Sequence, residues 1–358
     1  MRAVVLVGGE GTRLRPLTFT TPKQLLPVAE VTMIERVLSH LSAHGVDDVV
    51  LSMGYRPDGF LSMFPDNRCA GVALSYAVEP TPLDTAGGIR FAAERARLDS
   101  TFLVVNGDVL TDMDLQALVA FHRVSAAEAT VSLVPVEDPS RFGVVATDTD
   151  GRVSAFIEKP TAGEAPTNLV NAGTYVLEPT VLARIPGGRR VSIERETFPA
   201  LVGGGSLFAL ASSAYWIDAG TPPEYLRANL DLVAGVRGAL PAPGARPAGE
   251  GAWHLGAPVV DAPASPGSLI GDAAFVGRRA EVRASVVGAG ARVEDATVTG
   301  SLILPGAVVQ RGATVEGSIV GAGAVVGEGS KLTGLAVVGD GARIKAGAQL
   351  DGVRTSVG

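Results

Sequence analysis

Near its N-terminus the chain reads Ala3-Val4-Val5-Leu6-Val7-Gly8-Gly9-Glu10-Gly11-Thr12-Arg13-Leu14-Arg15-Pro16-Leu17-Thr18, followed by Thr21-Pro22-Lys23-Gln24-Leu25-Leu26-Pro27. This pattern predicts a short apolar strand that ends in a glycine-rich loop. Glycines let the backbone turn tightly and present its N–H groups to an anion, and Arg13, Arg15 and Lys23 add positive charge. The loop lacks the Gly-Lys-Ser/Thr ending of a P-loop and the glycine spacing of a dinucleotide fingerprint. We therefore predict a nucleoside triphosphate site of another type.

Residues 1–237 alternate short apolar strands with helical segments, which predicts an α/β fold with a Rossmann-like, doubly wound and mostly parallel sheet. In such sheets ligands bind at the carboxyl ends of the strands. The glycine-rich loop and Asn106-Gly107-Asp108 both follow predicted strands. We expect the two motifs to line one crevice.

The C-terminal part of the chain has a different pattern. Residues 238–267 are rich in Pro, Ala and Gly and predict a linker. Residues 268–358 carry hexapeptide repeats, which predict a left-handed parallel β-helix; they include Leu269-Ile270-Gly271, Val286-Val287-Gly288, Ile319-Val320-Gly321 and Val337-Val338-Gly339. Acyltransferases built on such a helix generally need a histidine base, and no histidine follows His254. A structural or regulatory role that joins copies of the chain into a homo-oligomer is therefore favoured over acyl transfer.

Composition excludes several other classes of protein. The 358 residues are 46% hydrophobic and 19% charged, which predicts a folded chain. The net charge of −7 argues against a general nucleic-acid binder. No apolar run approaches the roughly 18 residues that cross a bilayer. The single cysteine, Cys69, excludes an internal disulfide framework and predicts a cytoplasmic protein.

The string through Pro27 resembles the signature of the sugar-nucleotide pyrophosphorylases, which join a sugar 1-phosphate to a nucleoside triphosphate. The segment Glu79-Pro80-Thr81-Pro82-Leu83-Asp84-Thr85-Ala86-Gly87-Gly88 is most similar to the mannose-1-phosphate guanylyltransferases with a C-terminal β-helix. The resemblance implies that the sugar phosphate attacks the α-phosphorus of GTP in line, so that GDP-mannose and pyrophosphate form. Two alternatives remain open: a thymidylyl-, uridylyl- or adenylyltransferase acting on glucose 1-phosphate, and a non-catalytic subunit that senses sugar nucleotides.

This reaction needs carboxylates for Mg²⁺ and cations for phosphates rather than a protein nucleophile. Asp108, at the end of an apolar strand, is a candidate Mg²⁺ ligand, and the resemblance adds Asp218 as its partner. It also implies that Arg13 and Lys23 act in catalysis. The implied nucleotide-binding residues are Leu6, Gly8, Gly9, Gly11, Thr12, Arg13, Lys23, Glu79, Pro82, Thr85 and Gly107. The implied sugar-phosphate-binding residues are Gly143, Glu158, Lys159 and Asn171.

Glu79 is the candidate for recognition of the base. Guanine presents two adjacent donors, N1–H and the N2 amino group, and an ionised carboxylate can accept both. Relatives that act on pyrimidine nucleotides tend to carry glutamine there. Two positions depart from the guanylyltransferase pattern: Asp84 stands where glycine is usual, and Gln24 stands where proline is common.

Overall fold

A computed structural model describes residues 1–54, 57–161, 163–262 and 265–356. The chain divides into two compact units. The first comprises Met1–Gly9 and Ile34–Trp216, and the second comprises Glu10–Met33 and Ile217–Gly358. The glycine-rich loop is divided between them: Gly8 and Gly9 belong to the first unit, and the part from Glu10 onward belongs to the same unit as the C-terminal repeats.

The strands of the first two thirds of the chain are short and mostly buried. They are β1 Arg2–Leu6, β2 Pro27–Val28, β3 Val31–Thr32, β4 Asp48–Met53, β5 Arg68–Cys69, β6 Val72–Val78, β7 Phe102–Asn106, β8 Val109–Thr111, β9 Ala129–Pro135, β10 Gly143–Thr147, β11 Val153–Glu158, β12 Leu169–Leu177, β13 Leu207–Ala211 and β14 Trp216–Asp218. The helices are α1 Met33–Ala43, α2 Pro57–Met63, α3 Asp84–Arg95, α4 Leu115–Val124, α5 Thr180–Arg184, α6 Phe198–Gly203 and α7 Pro222–Val233. None of the helices in the described ranges is long and apolar enough to cross a membrane.

The sheet of the first unit has the strand order β11-β10-β12-β7-β1-β4-β6-β5, with β9 paired to β12 and β13. Strands β7, β1, β4 and β6 are parallel neighbours, which confirms the predicted α/β fold class. Beyond β7 the pairs β12–β7, β12–β9, β12–β10 and β10–β11 are antiparallel, whereas β13 pairs in parallel with β9. Strands β10 and β11 are joined by a short turn at residues 148–152, and so short a connection can only join antiparallel strands.

The second unit contains a parallel β-helix, as the repeats predict. Its strands are β15 Arg246–Pro247, β16 Trp253–His254, β17 Val259–Val260, β18 Leu269–Ile270, β19 Phe275–Val276, β20 Glu281–Arg283, β21 Val286–Val287, β22 Arg292–Val293, β23 Thr297–Thr299, β24 Leu302–Ile303, β25 Val308–Val309, β26 Thr314–Glu316, β27 Ile319–Val320, β28 Val325–Val326, β29 Lys331–Thr333, β30 Val337–Val338, β31 Arg343–Ile344, β32 Gln349–Asp351 and β33 Arg354–Thr355. They form three sheets, and the long first sheet runs β15-β16-β18-β21-β24-β27-β30-β33.

The β-helix begins within the segment predicted to be a linker. Strand β16 pairs in parallel with β18, and β17 pairs in parallel with β19. Residues 253–260 therefore belong to the first coil, although the Pro/Ala/Gly composition of the surrounding segment hides them. Residues 263 and 264 of that segment lie outside the described residues.

A ladder of buried serines runs along the first sheet of the β-helix. Ser268, Ser285, Ser301 and Ser318 are all fully buried, and each precedes a strand of this sheet. The backbone N–H of each following serine donates to the hydroxyl of the serine one coil earlier at 3.1 Å, and Ala336 N–H donates to Ser318 in the same way at 3.2 Å. Each hydroxyl donates in turn to a backbone carbonyl two residues earlier in the chain. The ladder thus satisfies buried N–H groups at one corner of successive coils.

Ser301→Ala is expected to destabilise the β-helix by about 1–3 kcal/mol, because the buried N–H of Ser318 loses its acceptor. The free energy of unfolding measured by urea titration checks this. Ser62→Ala, at an exposed serine of α2, is the matched control. A Ser301→Ala protein as stable as the control would show that the ladder contributes nothing.

Candidate active site

The carboxyl ends of β7, β1, β4 and β6 form one edge of the first unit, and several predicted nucleotide-binding residues lie there. Gly107 N–H donates to the carbonyl of Leu6 at 3.0 Å, at the end of β1. A Cβ at Gly8 would lie 3.1 Å from the backbone nitrogen of Gly54, so the chain segments after β1 and β4 approach closely. Gly9 is exposed beside them. Gly8 and Gly9 are exposed and therefore leave backbone accessible at this edge, as binding of an anionic ligand requires.

Glu79 follows β6 at the same edge, and its carboxylate is held in place by the protein. Leu83 N–H donates to Glu79 Oε2 at 2.9 Å, and the Ser52 hydroxyl donates to Oε1 at 3.3 Å. A Cβ at Gly88 would lie 2.6 Å from Oε1, so only glycine leaves room for this carboxylate. Ser52 and Gly88 are positioning residues that the sequence analysis missed, although Gly88 lies in the quoted Thr-Ala-Gly-Gly segment.

Pro82 and Thr85 lie in the loop between β6 and α3 and at the start of α3. Pro82 is exposed. The Thr85 hydroxyl donates to Glu194 Oε2 at 2.9 Å and accepts from Ile193 N–H at 2.8 Å. It therefore fastens this loop to the segment around Ile193. In this conformation the hydroxyl is engaged within the protein.

Asp84 and Gln24, which depart from the family pattern, lie in different surroundings. Asp84 has φ +63°, a conformation that favours glycine, and its Oδ1 accepts from the N–H of Thr85 at 2.9 Å. Its Oδ2 lies 3.7 Å from Arg190 Nη2, so the carboxylate is paired with a cation. Gln24 is only 1% exposed and belongs to the interior of the second unit.

The four predicted sugar-phosphate residues come together where β10, β11 and β12 meet. Gly143 pairs with Glu158 across β10 and β11, and Val144 pairs with Val170 next to Asn171. A Cβ at Gly143 would lie 2.9 Å from the Phe156 ring and 3.0 Å from Glu158 Oε2, so only glycine fits between these two side chains.

Lys159 and Asn171 are held in defined positions at this corner. Lys159 adopts φ +51° and donates its N–H to Phe142 O at 3.0 Å, while its Nζ lies 3.6 Å from Glu158 Oε1. A lysine in the left-handed region is held there by its surroundings, which is common at functional sites. Asn171 Nδ2 donates to the Tyr175 hydroxyl at 2.9 Å. Burial raises the pKa of Tyr175, so this phenol stays protonated.

In the second unit, the glycine-rich loop folds tightly on itself at Gly11. This residue has φ +65°, and a Cβ there would lie 3.0 Å from Thr18 Cγ2 and 3.1 Å from the stem of Lys23. The Thr18 hydroxyl donates to Gly11 O at 2.7 Å. Thr12 begins the short 3-10 turn that follows. The fold of the loop thus places the stem of Lys23 against the glycine turn.

Arg13 and Asp218 meet in the second unit. Arg13 Nη2 lies 3.8 Å from Asp218 Oδ2, and Asp218 Oδ1 accepts from Gly220 N–H at 2.9 Å. The Arg13 side chain is 57% exposed, which leaves the rest of its guanidinium accessible. A Cβ at Gly220 would lie 2.6 Å from Arg13 Nη2 and 2.7 Å from Asp218 Oδ1. Gly220 therefore belongs to the site, and the sequence analysis missed it although it lies only two residues after Asp218.

The far end of the loop segment forms the hairpin of β2 and β3, and buried groups of the second unit hold it. The buried Tyr225 donates its hydroxyl to Pro27 O at 2.5 Å, and Ala29 N–H donates to Asn229 Oδ1 at 2.7 Å. Glu30 Oε2 accepts from Ala289 N–H in the β-helix at 2.8 Å. Burial raises the pKa of Glu30 above its usual range, and the hydrogen bond from Ala289 only partly offsets this.

Glu30→Gln is expected to raise Tm at pH 7, because the amide still accepts from Ala289 without the cost of a buried charge. A raised pKa in the folded state means that stability falls as the pH rises from about 4.5 through the folded-state pKa. The gain should therefore shrink toward pH 4. Tm measured from pH 4 to pH 8 checks this, with the exposed Glu328→Gln as control. If Glu30→Gln does not raise Tm at pH 7, or raises it equally at every pH, Glu30 does not carry a destabilising charge in the folded state.

The candidate metal ligands are Asp108, 9% exposed after β7, and Asp218, 26% exposed at the end of β14. Within the described ranges, three or more His, Cys, Asp or Glu side chains do not cluster into a metal site. Mg²⁺ is usually held by one or two carboxylates together with substrate phosphates. Each aspartate offers hard carboxylate oxygens of the kind that Mg²⁺ prefers.

Comparison with known proteins identifies the family. The family model described as "Nucleotidyl transferase" matches residues 2–235, and that described as "GMPPB C-terminal domain" matches residues 262–355. The chain belongs to the nucleotidyl transferase family. The first of these matches covers the strands and loops that carry every predicted site residue.

Among the relatives of this nucleotidyl transferase is a mannose-1-phosphate guanylyltransferase from Mycobacterium tuberculosis, 44% identical over 83% of the chain and 79% of the relative. A mannose-1-phosphate guanyltransferase from Emericella nidulans is 42% identical over 63% of the chain, which spans 62% of that relative. HddC from Yersinia pseudotuberculosis, solved in complex with GMP-PN, is a structural neighbour with 28% identity and a TM-score of 0.56. The match covers 64% of the chain and 97% of HddC.

Proposed function

We propose that this nucleotidyltransferase makes GDP-mannose and pyrophosphate from GTP and mannose 1-phosphate. The observation that carries the proposal is the ordered carboxylate of Glu79 at the carboxyl edge of the sheet, where a base with two adjacent donors would find its acceptor. The similarity to mannose-1-phosphate guanylyltransferases at 42–44% identity supports the choice of substrates.

Arg13 and Lys23 are the proposed cations for the triphosphate. The forked guanidinium of Arg13 binds phosphate oxygens in pairs and neutralises charge on the departing pyrophosphate. Lys23 supplies a compact charge near the reacting phosphate. The tight turn at Gly11 supports both roles, because it holds the stem of Lys23 against the loop. Catalysis then comes from holding and neutralising two anions, without a covalent intermediate on the protein.

Asp108 and Asp218 are the proposed ligands of Mg²⁺. When bound, Mg²⁺ neutralises phosphate charge and polarises the phosphoryl group under attack. Asp218 has a further role in this proposal, since its Oδ2 lies beside Arg13 and limits where the guanidinium points.

The corner formed by Gly143, Glu158, Lys159 and Asn171 is the proposed site for the sugar 1-phosphate. Lys159 pairs with its phosphate, and the backbone of Gly143 contacts the sugar ring. Glu158 and Asn171 hydrogen-bond the sugar hydroxyls. The buried Tyr175 supports this role because it fixes the orientation of the Asn171 amide.

Glu79→Gln is expected to lower kcat/KM for GTP about 10- to 100-fold relative to UTP or dTTP, which is the scale of one hydrogen bond to a charged group. The glutamine oxygen can still accept from Leu83 N–H, so the loop keeps its conformation. Steady-state kinetics with each nucleotide checks this, and the exposed Glu137→Gln is the control. If Glu79→Gln leaves the preference among nucleotides unchanged, Glu79 does not recognise the base.

The compartment and the assembly of the enzyme are also part of the proposal. We propose a cytoplasmic homo-oligomer that assembles through the β-helix. The long parallel sheets of the β-helix support the assembly, and the presence of only one cysteine supports the reducing compartment. Light scattering of the purified protein tests the assembly.

Pyrophosphate release across a panel of nucleotides and sugar 1-phosphates tests the proposed function as a whole. The highest kcat/KM is expected with GTP and mannose 1-phosphate, with GDP-mannose as the organic product by mass spectrometry. A preference for dTTP, UTP or ATP with glucose 1-phosphate would replace the proposed substrates. Binding of sugar nucleotides without any turnover would favour a sensing subunit.

A further inference from the structure

We propose that Asp340 and Arg354, in the last coils of the β-helix, are positioning residues that hold Arg13 of the glycine-rich loop in its working place. This inference rests on the proposed role of Arg13 at the triphosphate. All three residues belong to the second unit.

The first contact is made at the start of the loop segment. Arg354 Nη1, on β33, donates to the backbone carbonyl of Arg13 at 3.0 Å. The bond fixes the main chain at the residue whose guanidinium lies beside Asp218. Because the carbonyl belongs to Arg13 itself, loss of this hydrogen bond would let the Arg13 backbone move, and its guanidinium would move with it.

The second contact is made seven residues later. The Thr20 hydroxyl donates to Asp340 Oδ2 at 2.6 Å, while Asp340 Oδ1 accepts from Ala322 N–H at 2.9 Å. The hydrogen bond from the preceding coil therefore fixes the orientation of the Asp340 carboxylate, whose other oxygen contacts the loop. Between the two contacts, a Cβ at Gly339 would lie 3.0 Å from Pro16, so the coil backbone approaches the loop closely there.

These contacts differ from those at the far end of the same segment. Tyr225, Asn229 and Glu30 hold the β2–β3 hairpin through buried or partly buried hydrogen bonds that do not involve Asp340 or Arg354. Thr20 and Arg354 are exposed, and hydrogen bonds at exposed positions contribute little to stability. Their loss should release the Arg13–Thr20 stretch without unfolding the unit.

The consequence for catalysis follows from geometry. A misplacement of about 1 Å in a positioned group can cost on the order of 100-fold in rate. The end of the β-helix thus acts on the reaction through the loop, and removing the β-helix should impair turnover as well as assembly.

The test compares kinetics of Arg354→Ala, Arg354→Lys, Asp340→Ala and Asp340→Asn in the full-length protein, with the exposed Arg343→Ala as matched control. We expect both alanine variants to lower kcat/KM for the nucleotide at least about tenfold, with KM for the sugar 1-phosphate unchanged within about twofold. Lysine at 354 and asparagine at 340 should recover part of the loss, because both can still hydrogen-bond the loop. Tm should match that of the control.

Arg13→Ala, alone and combined with Arg354→Ala, separates this inference from the proposed function. If Arg354 acts through Arg13, the double variant should be no worse than Arg13→Ala. If Arg13→Ala loses activity while the Arg354 and Asp340 variants behave like Arg343→Ala, the positioning role is wrong and the proposed function stands. If Arg13→Ala retains full activity, the proposed role of the loop fails first. If the alanine variants lose kcat/KM equally for the nucleotide and for the sugar 1-phosphate, and their Tm is also lowered, Asp340 and Arg354 have a structural role only.

Discussion

Asp218→Asn and Asp108→Asn are each expected to lower kcat by at least about 100-fold, the scale of losing one preorganised electrostatic group at a reacting centre. Asparagine is nearly the same size, and at 218 its carbonyl can still accept from Gly220 N–H. The substitution therefore removes the charge and leaves the local backbone in place. Each variant should need a higher Mg²⁺ concentration for half-maximal rate.

Turnover measured across a Mg²⁺ titration checks this prediction, with Asp66→Asn at an exposed position as the control. The metal response also separates two roles at Asp218, because its carboxylate lies beside Arg13 as well. A loss in kcat with an unchanged Mg²⁺ response would assign Asp218 to Arg13 rather than to the metal. Near-normal turnover in either variant would show that the metal is held elsewhere.

Gly220→Ala is expected to lower kcat/KM about 100-fold although it adds only a methyl group. The new Cβ would lie 2.6 Å from Arg13 Nη2 and 2.7 Å from Asp218 Oδ1, so both side chains must move. Arg13 is the flexible partner, and its displacement takes the guanidinium away from the position set by Asp218. The backbone at Gly220 is not in the left-handed region, so the change adds no strain of its own.

Kinetics and Tm together test the Gly220 prediction. Gly203→Ala is the matched control, because a Cβ there meets nothing within 4 Å. We expect full activity in the control. For Gly220→Ala we expect low activity with a Tm close to that of the unmodified protein. An active Gly220→Ala protein would mean that the Arg13–Asp218 arrangement is not needed for the reaction.

Much of the fold could be predicted because its patterns are local. The apolar runs at β1, β4 and β7 alternate with helical segments, and each coil repeats the same apolar pairs. The first coil was hidden because Trp253–His254 lies among prolines and glycines with no repeat before it. The serine ladder was also hidden, since its members are 16 or 17 residues apart and serine usually marks a turn.

The site could be predicted only as far as motifs reach. Arg13, Glu79, Lys159 and Asp218 stand in recognisable strings, whereas their supports do not. Ser52 is a common strand residue, and only the fold brings it to Glu79. Thr85 stands in a motif, but the sequence does not show its contacts. Its hydroxyl is engaged by Ile193 and Glu194, which are more than 100 residues away.

Contacts between the loop and the β-helix could not be predicted from the sequence. Arg354 and Arg13 are 341 residues apart, and Thr20 and Asp340 are 320 apart. Neither Asp340 nor Arg354 stands in a catalytic motif. Their connection to the loop follows only from the packing of the second unit, in which Glu10–Met33 lies with the repeats.

A crystal structure of the protein soaked with GDP-mannose and Mg²⁺ tests the central claim most directly, namely that nucleotide and sugar phosphate are held at the sites assigned here. We expect guanine against the Glu79 carboxylate, and mannose beside Glu158 and Asn171 with its phosphate at Lys159. Product density elsewhere, such as on the β-helix alone or away from the end of β1, would contradict it.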